Sequence, residues 1–135
     1  MPKRILTFGA FDPLHEGHKN LFTQARALGD QLHVVVARDS MIAAVKGHTA
    51  HVAEQDRLQA VLAQGGVDSA QLGDEQPEDY TLLRSLEFDV LAAGYDQEPD
   101  DAGMTELLAA AGQTAPVVRL LAHRPDVYKS SLLRE

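Results

Sequence analysis

Gly9-Ala10-Phe11-Asp12-Pro13-Leu14-His15-Glu16-Gly17-His18 is the stretch on which the reading of this chain turns. Before it, Arg4 to Phe8 is a short apolar run that ends at Gly9 and has the character of a strand. After it, Lys19 to Leu28 repeats apolar residues at helical spacing, with Leu21, Phe22, Ala25 and Leu28 on one face. The stretch therefore carries the chain from the carboxyl end of a strand to the amino end of a helix. Its two histidines, His15 and His18, straddle Gly17 and fall on one side of a first helical turn. The free amides of such a turn and the positive end of the helix dipole face the same pocket. Gly17 lets a flat base or a phosphate approach the backbone closely. Imidazoles placed there donate hydrogen bonds to phosphate oxygens as charge moves toward a leaving group. Asp12, beside Pro13, either shapes the turn or makes a polar contact with substrate.

Outward from this stretch, Gly29-Asp30 ends the helix and Leu32 to Ala37 is a β-branched run of the kind buried in parallel sheets. Helices are expected over Val52 to Gln64, Asp79 to Leu86 and Met104 to Ala111. Strands are expected over Asp68 to Leu72, Asp89 to Ala93 and Ala115 to Leu121. Strands and helices alternating at this spacing predict an α/β chain, a Rossmann-like doubly wound parallel sheet of about five strands with helices on both faces. Residues 1–135 read as a single domain. Ligands of such sheets lie beyond the carboxyl ends of the strands. That points to Gly9 to His18, Arg38 to Lys46, Gly94 to Gln97 and the segment after Leu121.

Composition narrows the function classes. The formal net charge of −8 argues against a nucleic-acid partner, yet leaves room for a small anionic substrate held by local cations and dipoles. No apolar run approaches the roughly 18 residues that a membrane span needs, and the start, Met1-Pro2-Lys3-Arg4, opens a strand rather than a secretory signal. The absence of cysteine excludes disulfides and thiolate metal sites, and a cytoplasmic location is expected. The remaining histidines, His33, His48, His51 and His123, show no metal-ligand spacing, so no protein metal site is expected. His33, within a strand, reads as a packing residue. Lys46, His48 and His51 form a basic loop cluster, solvated or in contact with phosphate.

The stretch at residues 9–18 resembles the G-x-F-D-x-x-H-x-G-H signature of the nucleotidyltransferase superfamily, matched at Gly9, Phe11, Asp12, His15, Gly17 and His18. That superfamily includes cytidylyltransferases, adenylyltransferases and class I aminoacyl-tRNA synthetases. Val36-Ala37-Arg38-Asp39, Lys46-Gly47, Glu54-Gln55-Asp56-Arg57 and Gly94-Tyr95-Asp96-Gln97 are similar to elements of short archaeal-type FAD synthetases and glycerol-3-phosphate cytidylyltransferases. The resemblance implies that His15 and His18 bind the NTP phosphates and stabilise the transition state, with Lys46 and Arg124 as further catalytic cations. It places the nucleotide against Gly9, Ala10, Phe11, His15, Glu16, Gly17, His18, Asp96, Tyr128 and Ser130, and the acceptor near Asp12 and Arg57. Taken alone, Lys46 is as much a surface lysine as a phosphate ligand, and Arg57 reads as a solvated helix charge. The carboxyl-terminal serine motif is altered, with Tyr128 and Lys129 in place of isoleucine and serine before Ser130-Ser131, and the sequence stops at Glu135.

The implied reaction is transfer of a nucleoside monophosphate from ATP or CTP to a phosphate-bearing acceptor, with release of pyrophosphate. Mg²⁺ or another divalent cation arrives with the triphosphate. FMN adenylylation, giving FAD, is the leading expectation. Cytidylylation of glycerol 3-phosphate or a sugar phosphate is the alternative, and a nucleotide-binding paralogue without turnover is the non-enzymatic one. The resemblance also implies a homodimer.

Overall fold

Strand β1 (Arg4–Gly9) sends alternate side chains into two apolar layers, Ile5 into one and Leu6 into the other. In the computed structural model, residues 2–75, 81–95, 97 and 100–121 are described. After β1 come α1 (Glu16–Ala27), β2 (Gln31–Val36), α2 (Asp39–Lys46), α3 (Glu54–Leu62) and β3 (Ser69–Leu72). Then follow α4 (Thr81–Ser85), β4 (Val90–Ala93), α5 (Asp101–Ala110) and β5 (Val117–Arg119). The strands form a five-stranded sheet in the order β3-β2-β1-β4-β5, every pair parallel. This is the expected Rossmann-like architecture.

One layer joins Ile5, Leu32, Val34, Val36, Val90 and Ala92 of the sheet to Phe22 and Ala25 of α1 and Val61 of α3. The other joins Leu6, Leu91 and Ala93 to Met104 and Leu108 of α5 and Leu83 of α4. Helices thus cover both faces. Among the described residues no helix is long and apolar enough to cross a membrane.

The order reverses at β1, which meets β2 on one side and β4 on the other. Pairing with β2 runs from Arg4↔Gln31 to Gly9↔Val36. Pairing with β4 covers only Ile5↔Val90 and Leu6↔Leu91. Beyond Leu6 the two strands are linked through side chains: Thr7 Oγ1 donates to the Ala92 carbonyl (2.8 Å) and Gln97 Nε2 to that of Phe8 (2.7 Å). The crevice where such folds bind ligands therefore lies between the carboxyl ends of β1 and β4.

Several elements differ from expectation for local reasons. Helix α2 occupies a segment to which no element was assigned from the sequence. It ends at Gly47, whose φ of 76° is the left-handed conformation that suits a glycine cap. Helix α5 begins at Asp101 rather than Met104, because Asp100 Oδ1 accepts from the Gly103 amide at 2.9 Å. Gly29 serves close packing: a Cβ there would sit 2.8 Å from the Lys3 carbonyl oxygen. His33 is half-buried, its ring bridging to β3 through Ser69 Oγ (2.6 Å) and Gln71 Oε1 (2.8 Å). The helix expected from Asp79 lies partly outside the described residues.

Candidate active site

The turn between β1 and α1 is held by its own histidines. His15 is the N-cap of α1, and its Nδ1 accepts from the Gly17 amide at 3.0 Å. His18 Nδ1 accepts from the His15 amide at 3.2 Å. A backbone amide always donates, so both Nδ1 atoms are unprotonated. In the neutral rings the proton therefore sits on Nε2. The rings stack with centroids 3.8 Å apart and planes 19° from parallel. The amides of Gly17 and His18 are engaged within the turn, the latter with the His15 carbonyl (3.0 Å). These two amides are thus spent within the turn rather than offered to an anion.

Burial pushes the His18 pKa down to about 3, aided by the neighbouring His15 and Lys46 charges. His18 is a neutral hydrogen-bond donor at physiological pH. Its ring stands edge-on to Phe11, with centroids 5.0 Å apart, and Phe11 in turn contacts Phe22 at 5.2 Å. Phe11 takes a φ of 53°, unusual for a bulky residue, and is buried in the core. Its ring supports His18, leaving only its backbone to a nucleotide. Gly9 lies close beneath that ring, where a Cβ would sit a tight 3.0 Å from Phe11 Cζ. Glu16 Oε1 accepts from Lys19 Nζ at 3.1 Å.

Asp12 faces the next segment. Its Oδ2 accepts from the His51 amide (2.9 Å) and its Oδ1 from that of Val52 (2.7 Å). Burial raises its pKa, but the two amides and the nearby His51 and Arg57 charges outweigh this and hold it below the usual carboxylate value. Arg57 is not the solvated helix charge of the sequence reading. It is 1% exposed and donates through Nε to the Val52 carbonyl, through Nη1 to those of Ala10 and Ala37, and through Nη2 to Asp39 Oδ1 (2.7 Å). Such enclosure keeps it from the acceptor contact expected of it. Arg57 gathers the ends of β1 and β2, while Asp12 ties the turn to the approach to α3. Glu54 continues the lattice by accepting from the Asp39 amide at 2.8 Å and pairing with Arg38 at 3.4 Å. Lys46 closes α2, exposed, near enough to His18 to affect its titration. His48 and His51 lie close together, with ring centroids 5.5 Å apart.

Across the crevice, the Gly94 amide donates to Gln97 Oε1 (3.1 Å), and the Gln97 amide to the Gly94 carbonyl (3.0 Å). Arg119, at the end of β5, donates to the carbonyls of both residues. Neither Arg119 nor the buried role of Arg57 was foreseen. A lone cation inside the apolar run Val117-Val118-Arg119-Leu120-Leu121 was the available signal for the former. Asp96, Arg124, Tyr128 and Ser130 lie outside the described residues.

The strand-to-helix turn, the paired imidazoles and the crevice at the switch point agree with one family pattern. The cytidylyltransferase-like family model matches residues 6–135. The chain belongs to that family. It is a nucleotidyltransferase, as the reading of residues 9–18 implied. Among its relatives, the FAD synthase of Methanosarcina barkeri is 45% identical over 117 residues, covering 87% of this chain and 82% of that protein. The FAD synthase of Methanococcoides burtonii is 41% identical, covering 87% and 80%. Among solved structures, the lipopolysaccharide core biosynthesis protein of Thermoplasma volcanium superposes with a TM-score of 0.82 at 33% identity, covering 91% of this chain and 99% of that one. A bifunctional NMN adenylyltransferase/ADP ribose pyrophosphatase of Francisella tularensis shares the fold alone, with a TM-score of 0.52 at 12% identity.

Proposed function

We propose that this chain transfers AMP from ATP to the phosphate of FMN, forming FAD and releasing pyrophosphate. The observation that carries the choice of substrates is the set of archaeal relatives named FAD synthase, among them one 45% identical and aligned along 87% of the chain. The geometry supports the chemistry. An oxygen of the FMN phosphate attacks the α-phosphorus of ATP, the bond from that phosphorus to the α,β-bridging oxygen breaks, and pyrophosphate leaves with the electron pair. His15 and His18 present Nε2–H donors to the phosphate oxygens on which charge accumulates, from a turn already fixed by their own Nδ1 atoms. A neutral donor of this kind stabilises charge without transferring its proton. Lys46 adds a cation on the same side, and Arg124 is a second cation in this proposal.

The donors facing the site, imidazole N–H groups and an ammonium, suit phosphate oxygens. A divalent cation fits this set as a passenger of the triphosphate rather than as a ligand of these side chains. Such a cation, when bound, neutralises phosphate charge as a Lewis acid. The reading extends to a cytoplasmic homodimer without nucleic-acid or membrane partners.

The test is pyrophosphate release with Mg²⁺, with ATP and CTP each offered FMN, glycerol 3-phosphate and sugar phosphates. Turnover with ATP and FMN is expected, and His18→Ala should lower kcat about 10²- to 10³-fold. Turnover with CTP alone would replace the flavin reading with a cytidylyltransferase.

A further inference from the structure

The turn after β4 is braced by side-chain contacts to its main chain. Arg119 Nη1 donates to the carbonyls of Gly94 and Gln97, both at 2.7 Å, and so holds the two ends of the turn with one nitrogen. Its Nε and Nη2 grip Asp101 Oδ1, at 2.9 and 2.8 Å, on the first residue of α5. Gln97 fastens the same turn to β1 through the Phe8 carbonyl. Gly94 packs so closely on α1 that a Cβ would lie 3.0 Å from Leu21 Cδ1. The turn therefore rests on the helix that carries His18.

We propose that Arg119 is a positioning residue for the nucleotide, fixing the Gly94–Gln97 turn at the distance from α1 at which a bound NTP reaches both the turn and the histidine pair. This rests on the proposed reading of the crevice as the nucleotide site. The Arg119 side chain retains 23% of its exposure, and Asp101 keeps 61%. Removing the guanidinium returns these carbonyls to water near the sheet edge instead of stranding them in the core. The fold is then little affected, while the turn loses its register.

The experiment uses the full chain and the variants Arg119→Met, Arg119→Lys and Asp101→Ala. Affinity for ATP and for CTP is measured by calorimetric titration without acceptor. Affinity for FMN is measured separately by quenching of its own fluorescence, and melting temperature is recorded for each variant. Arg119→Met should weaken NTP binding about tenfold or more, with FMN binding within about twofold of wild type, since misplacement by an ångström is enough for such losses. Arg119→Lys should recover part of the loss, and Asp101→Ala should weaken NTP binding only about two- to threefold. Unchanged NTP affinity in Arg119→Met overturns the proposal. So does equal weakening of NTP and FMN in step with the melting temperature, the mark of a purely structural role. Should Arg119→Met fail to fold, unchanged NTP affinity in Asp101→Ala overturns it. A wild type that binds CTP and not ATP removes the flavin reading while Arg119 is judged on CTP. A wild type that binds neither nucleotide sinks both.

Discussion

Arg57 and Arg119 brace opposite sides of the same sheet edge. Arg57 gathers main-chain carbonyls from the ends of β1 and β2, Arg119 gathers those of the single turn after β4, and each fastens itself to a carboxylate that opens a helix, Asp39 for one and Asp101 for the other. They differ in depth. The Arg57 side chain is 0% exposed and that of Arg119 23%. A buried guanidinium has no solvent to replace its partners, so the β1–β2 side is built into the fold. The β4–β5 side is fastened where water can compete. A nucleotide site made from both halves therefore has one wall set by folding and one wall set by adjustable contacts.

The sharpest way to break this comparison is Arg57→Met. Three carbonyls lose their donor, at about 1–3 kcal/mol for each one left buried and unsatisfied, while the Asp39 side chain, 45% exposed, is left to water. In a domain of ordinary stability that is a large share of the total. The expected result is a fall in melting temperature of roughly 10 °C or more, against a few degrees for Arg119→Met. Equal falls for the two arginines would erase the distinction of depth.

Asp12→Ala probes the same wall more gently. The amides of His51 and Val52 lose their acceptor, as at a helix cap, at a cost of about 0.5–2 kcal/mol. Urea unfolding should show that loss, with the histidine pair still able to bind phosphate. A loss larger than that of Arg57→Met would make Asp12 the principal brace.

A further effect is one of pH. His18 carries a pKa of about 3 in the fold against an ordinary 6.5. Between those values the unfolded chain binds the extra proton, so this group stabilises the fold above pH 6.5 and loses that contribution as pH falls toward 3. Melting curves of wild type and His18→Ala should converge on acidification through that window. Parallel curves would show that the ring titrates in the fold as it does in water.

Much of this was legible in the sequence. Alternation of apolar runs gave the parallel sheet, and residues 9–18 marked the site, because a strand's end and a helix's start are local events. Helix α2 was not legible, because the carboxylate that accepts from its first amide is Glu54, supplied from α3. Arg57 was hidden for a similar reason. Glu54-Gln55-Asp56-Arg57 reads as a solvated helix face, and only the carbonyls of Ala10, Ala37 and Val52, brought together by folding, make a burial site for a cation. The tautomer of the histidine pair likewise depends on which ring nitrogen meets the backbone, which spacing alone does not specify.

That tautomer has a consequence for metal homeostasis. Two histidines three residues apart on a helix start resemble a chelating pair, and imidazole is a favoured ligand of zinc and nickel. Here each Nδ1 lone pair is spent on a backbone amide and each neutral Nε2 carries a hydrogen. A zinc ion would reach an Nδ1 lone pair by displacing its amide, and an Nε2 lone pair after the ring shifts to the other tautomer and releases that amide. The cap bonds that fix the turn must therefore be given up before a metal can use this pair.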